Sequence, residues 1–181
     1  MNGEVTVATA AEMRALGRRL AALLRAGDVV ILSGPLGAGK TTLTQGIGAG
    51  LGVRGPVTSP TFVIARVHPS LARARGLTAS GPALVHADAY RLGSVLEMDD
   101  LDLDTDTATS VTVVEWGEGL AEGLAADRLE VAITPAAVPH AVQADGAPPE
   151  DGDAPRTVMI AGVGERWHGI ELPPADLADR L

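Results

Sequence analysis

The chain of 181 residues has no cysteine, a single lysine among its 14 basic residues, and aromatic residues at only 2%. Without cysteine, disulfides, thiolate metal sites and a cysteine nucleophile are excluded, while the redox compartment stays open. No basic stretch interleaves with aromatics, and 23 acids against 14 bases leave a net charge of -9. Autonomous binding to nucleic acid, which rests on neutralising phosphates, is therefore disfavoured. No apolar run approaches the ~20 residues that a membrane-spanning helix needs, and Met1-Asn2-Gly3-Glu4 shows no basic region leading into an apolar core. A soluble, cytoplasmic protein without membrane association is expected. Hydrophobic residues at 46% with so few aromatics require a core of Val, Leu, Ile and Ala, as parallel α/β sheets often have. The length suits one sizeable core, so a single domain over 1–181 is expected.

What is present centres on Gly34-Pro35-Leu36-Gly37-Ala38-Gly39-Lys40-Thr41, which meets the pattern G-x-x-x-x-G-K-[ST] at every constrained position. Ahead of it, Asp28-Val29-Val30-Ile31-Leu32-Ser33 reads as a buried strand, and behind it Thr42-Leu43-Thr44-Gln45-Gly46-Ile47 begins a helical pattern. In such a loop the backbone N–H groups and the positive end of the helix converge on phosphates. Gly34, Leu36, Gly37, Ala38, Gly39, Lys40, Thr41 and Thr42 are the expected nucleotide contacts. Lys40 supplies a point charge to the outer phosphates, and the Thr41 hydroxyl is placed to ligate the magnesium that bridges them. Every other basic residue is Arg, so Lys is kept where a compact ammonium is required. A glycine-rich turn before an ordinary helix leaves that choice unexplained.

Along the rest of the chain, Met13, Leu16, Leu20, Leu23 and Leu24 repeat at helical spacing after Thr9, a candidate N-cap, and Gly27 closes that helix. The helix after the glycine loop is expected to run to about Gly50-Leu51-Gly52. Residues 57–67 read as a turn entering a strand and 68–82 as a hairpin-like loop. Residues 83–88 form a buried strand ending in Asp88, 94–106 a short helix and loop, and 111–116 an apolar strand that reaches Glu115 before Gly117-Glu118-Gly119 breaks it. Residues 128–133 and 156–161 read as an antiparallel strand pair, joined by a Pro- and acid-rich connector that is expected to be a disordered loop over 136–155. A final short helix is expected over 175–181. Together these elements predict an α/β, three-layer P-loop NTPase fold with a mostly parallel central sheet and antiparallel C-terminal strands.

Ligands of open α/β sheets sit at the carboxyl ends of the strands, which makes Asp88 and Glu115 both candidates to face the phosphates. Magnesium held beside a P-loop needs at least one carboxylate from another strand. A GTPase needs an Asn-Lys-x-Asp element, and with no lysine beyond Lys40 that reading is excluded; adenine, or no base reading, is expected. A small-molecule kinase needs an acceptor site and an Arg-bearing lid, for which Arg66, Arg73, Arg75 and Arg91 are available but point to no acceptor. A nucleotide-gated module that controls a protein partner fits the size and the acidity. A purely structural protein leaves the glycine loop without a purpose.

The segments Gly34 to Thr42, Ser59-Pro60-Thr61-Phe62, His86-Ala87-Asp88-Ala89-Tyr90-Arg91 and Glu115-Trp116 resemble, in this order, four signatures of the TsaE family, the bacterial P-loop ATPases of tRNA threonylcarbamoyladenosine synthesis. The resemblance spans about residues 9 to 160. It implies ATP and Mg2+ as cofactors, slow hydrolysis, and action with the TsaB and TsaD proteins, so that tRNA is reached only indirectly. It also implies Lys40, Asp88 and Thr61 as catalytic residues, Thr61 in a switch-like role, and Thr41 with Glu115 as the magnesium ligands. Thr9 and Trp116 complete the expected nucleotide-binding set. The loops over 68–82 and 135–155 look longer than the family needs, and the segment after Tyr90 is more acidic.

Overall fold

The computed structural model describes residues 1–60, 64–71, 81–91, 109–136 and 155–174. The expectations for Thr61, for the interior of the 68–82 loop, and for 94–106, 137–154 and 175–181 lie outside them. Seven strands form one sheet: β1 (Asn2–Val7), β2 (Val29–Ser33), β3 (Ala65–His68), β4 (Ala83–Asp88), β5 (Ser110–Glu115), β6 (Arg128–Pro135) and β7 (Arg156–Val163), with helices α1 (Ala10–Ala21) and α2 (Lys40–Leu51). The strand order is β1-β7-β6-β2-β5-β4-β3. Its centre, β6-β2-β5-β4, is parallel, while β1, β7 and β3 add antiparallel edges. The α/β class, the parallel centre and the antiparallel C-terminal pair are as the sequence predicts.

β2 sorts its side chains by strict alternation. Val30 and Leu32 join Met13, Leu16 and Leu20 of α1 and Leu43 and Ile47 of α2 in one buried cluster, whereas Val29 and Ile31 turn to the opposite face with Val85, Ala87 and Val114. On that second face, Leu120, Ala121 and Leu124 of the segment after β5 supply cover. Each fully buried Leu or Ile contributes about 1.5–3 kcal/mol relative to exposure, so branched aliphatics at this density replace the missing aromatics.

α1 starts at Thr9, whose hydroxyl accepts the Glu12 N–H at 3.1 Å while the Glu12 carboxylate takes the Ala8 N–H at 2.6 Å, a reciprocal cap. The helix stops at Ala21, sooner than the apolar spacing predicts. Two tighter turns follow, from Leu23 N–H to Leu20 O and from Leu24 N–H to Ala21 O, and they still bring Leu24 into the core. α1 and α2 cross closely because glycines meet backbone: a Cβ on Gly46 would overlap the Arg14 carbonyl, and one on Gly17 would overlap the Leu43 carbonyl.

β1 is absent from the expectation drawn from sequence. Asn2, Gly3 and Glu4 have weak strand preference, and it is pairing with β7, from Asn2 opposite Ala161 to Val7 opposite Arg156, that makes them a strand. Among the described residues no helix is long and apolar enough to cross a membrane.

Candidate nucleotide site

The glycine loop leaves the carboxyl end of β2 and enters α2 at Lys40. Gly39 caps that helix at φ 106°, and Gly34 turns at φ 135° with no room for a Cβ against the Ile133 carbonyl of β6. Both positions need backbone that side-chain-bearing residues rarely adopt. Leu36 rides at the tip of the loop, 91% exposed, and Ala38 is tucked beneath it, donating its N–H to Pro35 O at 3.1 Å.

Register brings the acids to the loop. Leu32 of β2 pairs with Glu115 of β5, and Glu115 pairs with Asp88 of β4. Partners in a parallel ladder share a face, so both carboxylates lie on the α2 side at the level where β2 yields to the loop. The Thr41 hydroxyl stands 2.9 Å from Glu115 Oε1 and 3.1 Å from Oε2. His86, two residues before Asp88 on the same face of β4, places Nε2 at 2.7 Å from Glu115 Oε1. Asp88 accepts the Tyr90 N–H at 3.0 Å and is itself buried.

Lys40 folds back over the loop and donates to the carbonyls of Gly34 and Pro35 at 2.8 and 2.9 Å. Its ammonium also lies 3.6 Å from the centroid of the Trp116 ring. Burial draws the Lys40 ammonium below its ordinary range, and the charges of Glu115 and Asp88 oppose that fall. Trp116 sits at φ 60° just past β5, a left-handed backbone that costs on the order of 1 kcal/mol or more for such a residue. Its N–H still bonds Leu32 O at 2.9 Å, and Tyr90 meets its ring at 5.2 Å between centroids.

Two cavities adjoin here. One, of about 230 Å³, is bounded by Lys40, Thr41, Ser59, Asp88, Glu115 and Trp116. The other, of about 450 Å³, lies on the α1 side against Ala10, Met13, Arg14 and Arg156. Leu36, Gly37, Gly39 and Thr42 belong to both rims. Arg156 approaches Gly39 from the start of β7. Of the residues named from sequence, Lys40, Thr41, Thr42, Asp88, Glu115 and Trp116 converge with the loop glycines. Thr9 is engaged as a helix cap beside Ala10, and Thr61 lies outside the described residues.

Arg14, Ser59, His86 and Arg156 are the site residues that sequence reasoning left without a role. His86 carried a usable signal, since alternation along 83–88 puts it on the face of Asp88; Arg156 carried none.

A family model described as "Threonylcarbamoyl adenosine biosynthesis protein TsaE" matches residues 7–141. This chain belongs to the TsaE family. It is 60% identical over 156 residues to a Streptomyces coelicolor protein named tRNA threonylcarbamoyladenosine biosynthesis protein TsaE, with 86% of this chain and 93% of that protein covered. A TsaE of the same description from Bacillus subtilis is 34% identical over 157 residues, covering 86% of this chain and 83% of the relative. The crystal structure of YdiB from Bacillus subtilis superposes with a TM-score of 0.63 at 28% identity, over 99% of this chain and 97% of that one. The TsaE match reaches through the glycine loop, Asp88 and Glu115, and ends within the connector ahead of β7.

Proposed function

We propose that this chain acts in the biosynthesis of threonylcarbamoyladenosine in tRNA, as a magnesium-dependent ATPase that works through TsaB and TsaD homologues in the cytoplasm. The observation that carries the reading is the contact of the Thr41 hydroxyl with the Glu115 carboxylate, at 2.9 Å, beside a lysine held in a glycine loop. One hydroxyl and one carboxylate are the hard oxygen donors that magnesium takes while keeping several waters, so the residues present fit that ion. Magnesium would there neutralise charge on the outer phosphates of the nucleotide.

Lys40 exchanges two carbonyl partners for phosphate oxygens, and the loop N–H groups with the start of α2 hold the remaining charge. Asp88, one strand over from Glu115, orients the attacking water. Thr61 senses the γ-phosphate. The larger cavity takes the nucleoside: Met13 offers an apolar surface, and Arg14 and Arg156 offer cationic planes suited to stacking. Adenine is favoured over guanine because no second lysine exists to complete a guanine-reading element. A net charge of -9 makes the chain a poor tRNA ligand, which assigns the tRNA to its partners.

Titration with ATP and GTP at fixed magnesium, phosphate release alone and with TsaB and TsaD homologues from the same cell, and co-purification with them with and without ATP test the reading. ATP preference, slow release of free phosphate and a partner-dependent change are expected. Equal affinity for GTP, or transfer of the phosphoryl group to a small-molecule acceptor, would overturn it.

A further inference from the structure

We infer that His86 is a positioning residue for the magnesium-binding carboxylate: its Nε2–H holds Glu115 in the orientation that magnesium-dependent nucleotide binding requires. The inference rests on the ATPase reading above and extends it to a residue outside the phosphate loop.

Three observations carry it. First, His86 is wholly buried and Glu115 is 3% exposed, and they meet at 2.7 Å, a short distance typical of a hydrogen bond to an ionised acceptor. An ionised carboxylate can only accept, so Nε2 is the donor. Second, the other ring nitrogen, Nδ1, is buried with no hydrogen-bond partner among the described residues. Among the described residues the ring is thus held through Nε2 alone, although an orphaned buried polar atom is destabilising. Third, the other partner of the same carboxylate, the Thr41 hydroxyl, contacts both oxygens and so does not select between them, whereas His86 meets Oε1. The planar imidazole, fixed within β4, is what sets the plane of the carboxylate. Outer partners of this kind commonly alter metal affinity 10- to 100-fold.

The test compares two amides of different reach in the full-length protein. In His86→Gln the side-chain amide overlays Nε2 and can still donate to Glu115; in His86→Asn it overlays Nδ1 and falls short. ATP affinity is measured by calorimetry across magnesium concentrations and in excess chelator. The magnesium concentration for half-maximal ATP binding is expected to rise roughly 10- to 100-fold in His86→Asn and to stay within about threefold of wild type in His86→Gln. Affinity in chelator is expected to be alike in all three, which a loss of folding would not leave intact. Should His86→Asn fail to fold, His86→Leu makes the same comparison. Equal magnesium dependence in the Gln and Asn (or Leu) variants, whether both intact or both impaired, overturns the positioning role. If wild type itself shows no magnesium-dependent ATP binding, the ATPase reading falls, and the role of His86 with it.

Discussion

The Lys40 ammonium and the Trp116 ring are in cation–π contact at 3.6 Å, with the same ammonium bonded to Gly34 and Pro35 carbonyls. In the proposed nucleotide complex, phosphate oxygens would compete for all three partnerships. Adding ATP or ADP is therefore expected to change tryptophan fluorescence, and Trp116→Phe to abolish the change. Trp167, buried far along the chain against Arg166, supplies a constant background. A nucleotide-induced signal that survives in Trp116→Phe would show that the lysine does not leave the ring.

Removing the ammonium removes charge-assisted hydrogen bonds of about 1.5–3 kcal/mol. Lys40→Ala is expected to weaken ATP at least tenfold. Lys40→Arg is expected to fail as well, because the guanidinium is a larger planar fork and lacks the compact point charge of the ammonium that bonds the Gly34 and Pro35 carbonyls. Equilibrium titration distinguishes the cases, and an Arg variant with wild-type affinity would count against an ammonium-shaped site.

The two strand-end acids are expected to separate by assay. Glu115→Gln weakens ATP binding in magnesium, since Thr41 lies on that carboxylate; Asp88→Asn spares binding and slows phosphate release. ATP affinity against magnesium concentration, together with single-turnover hydrolysis, checks both. Loss of metal dependence in Asp88→Asn but not in Glu115→Gln would reverse the assignment.

His68 is buried, and its Nε2 has no partner among the described residues. Burial, then the neighbouring His86 and Arg66, lowers its imidazole below the ordinary 6.5. The unfolded chain thus binds the proton first, so stability is complete above 6.5 and declines as pH falls from there through the folded-state value. Urea unfolding of wild type and His68→Leu between pH 8 and pH 5 is expected to show wild type losing ground to the variant on acidification. A difference that does not change with pH would contradict this.

The α1–α2 crossing supplies a test of the scaffold. Gly46→Ala places a methyl group into the Arg14 backbone, and overpacking of this kind is expected to destabilise by about 1–3 kcal/mol. Because Met13 and Arg14 line the larger cavity, nucleotide affinity is expected to fall too. A variant with an unchanged melting midpoint would mean that the helices can part without penalty.

How much of this was legible beforehand follows from the range of each interaction. The strand, glycine loop and helix from Val29 to Leu51 were readable because that unit is local: aliphatic run, turn residues and helix start are contiguous, and the anion-binding geometry is made by neighbouring backbone. The apolar runs over 83–88 and 111–115 likewise marked Asp88 and Glu115 as strand-end acids.

Periodicity assigns a side chain to a face without saying which strand stands beside it. Strand order did that: β5 between β2 and β4 set Glu115 against Thr41 and His86, and β7 beside β6 carried Arg156 to Gly39. Pairing with β7 likewise turned the polar residues Asn2 to Glu4 into an edge strand. Those contacts join segments far apart in the chain. They exist only once the aliphatic core has closed, because burial of that core supplies the free energy that offsets the entropy of bringing such distant segments together.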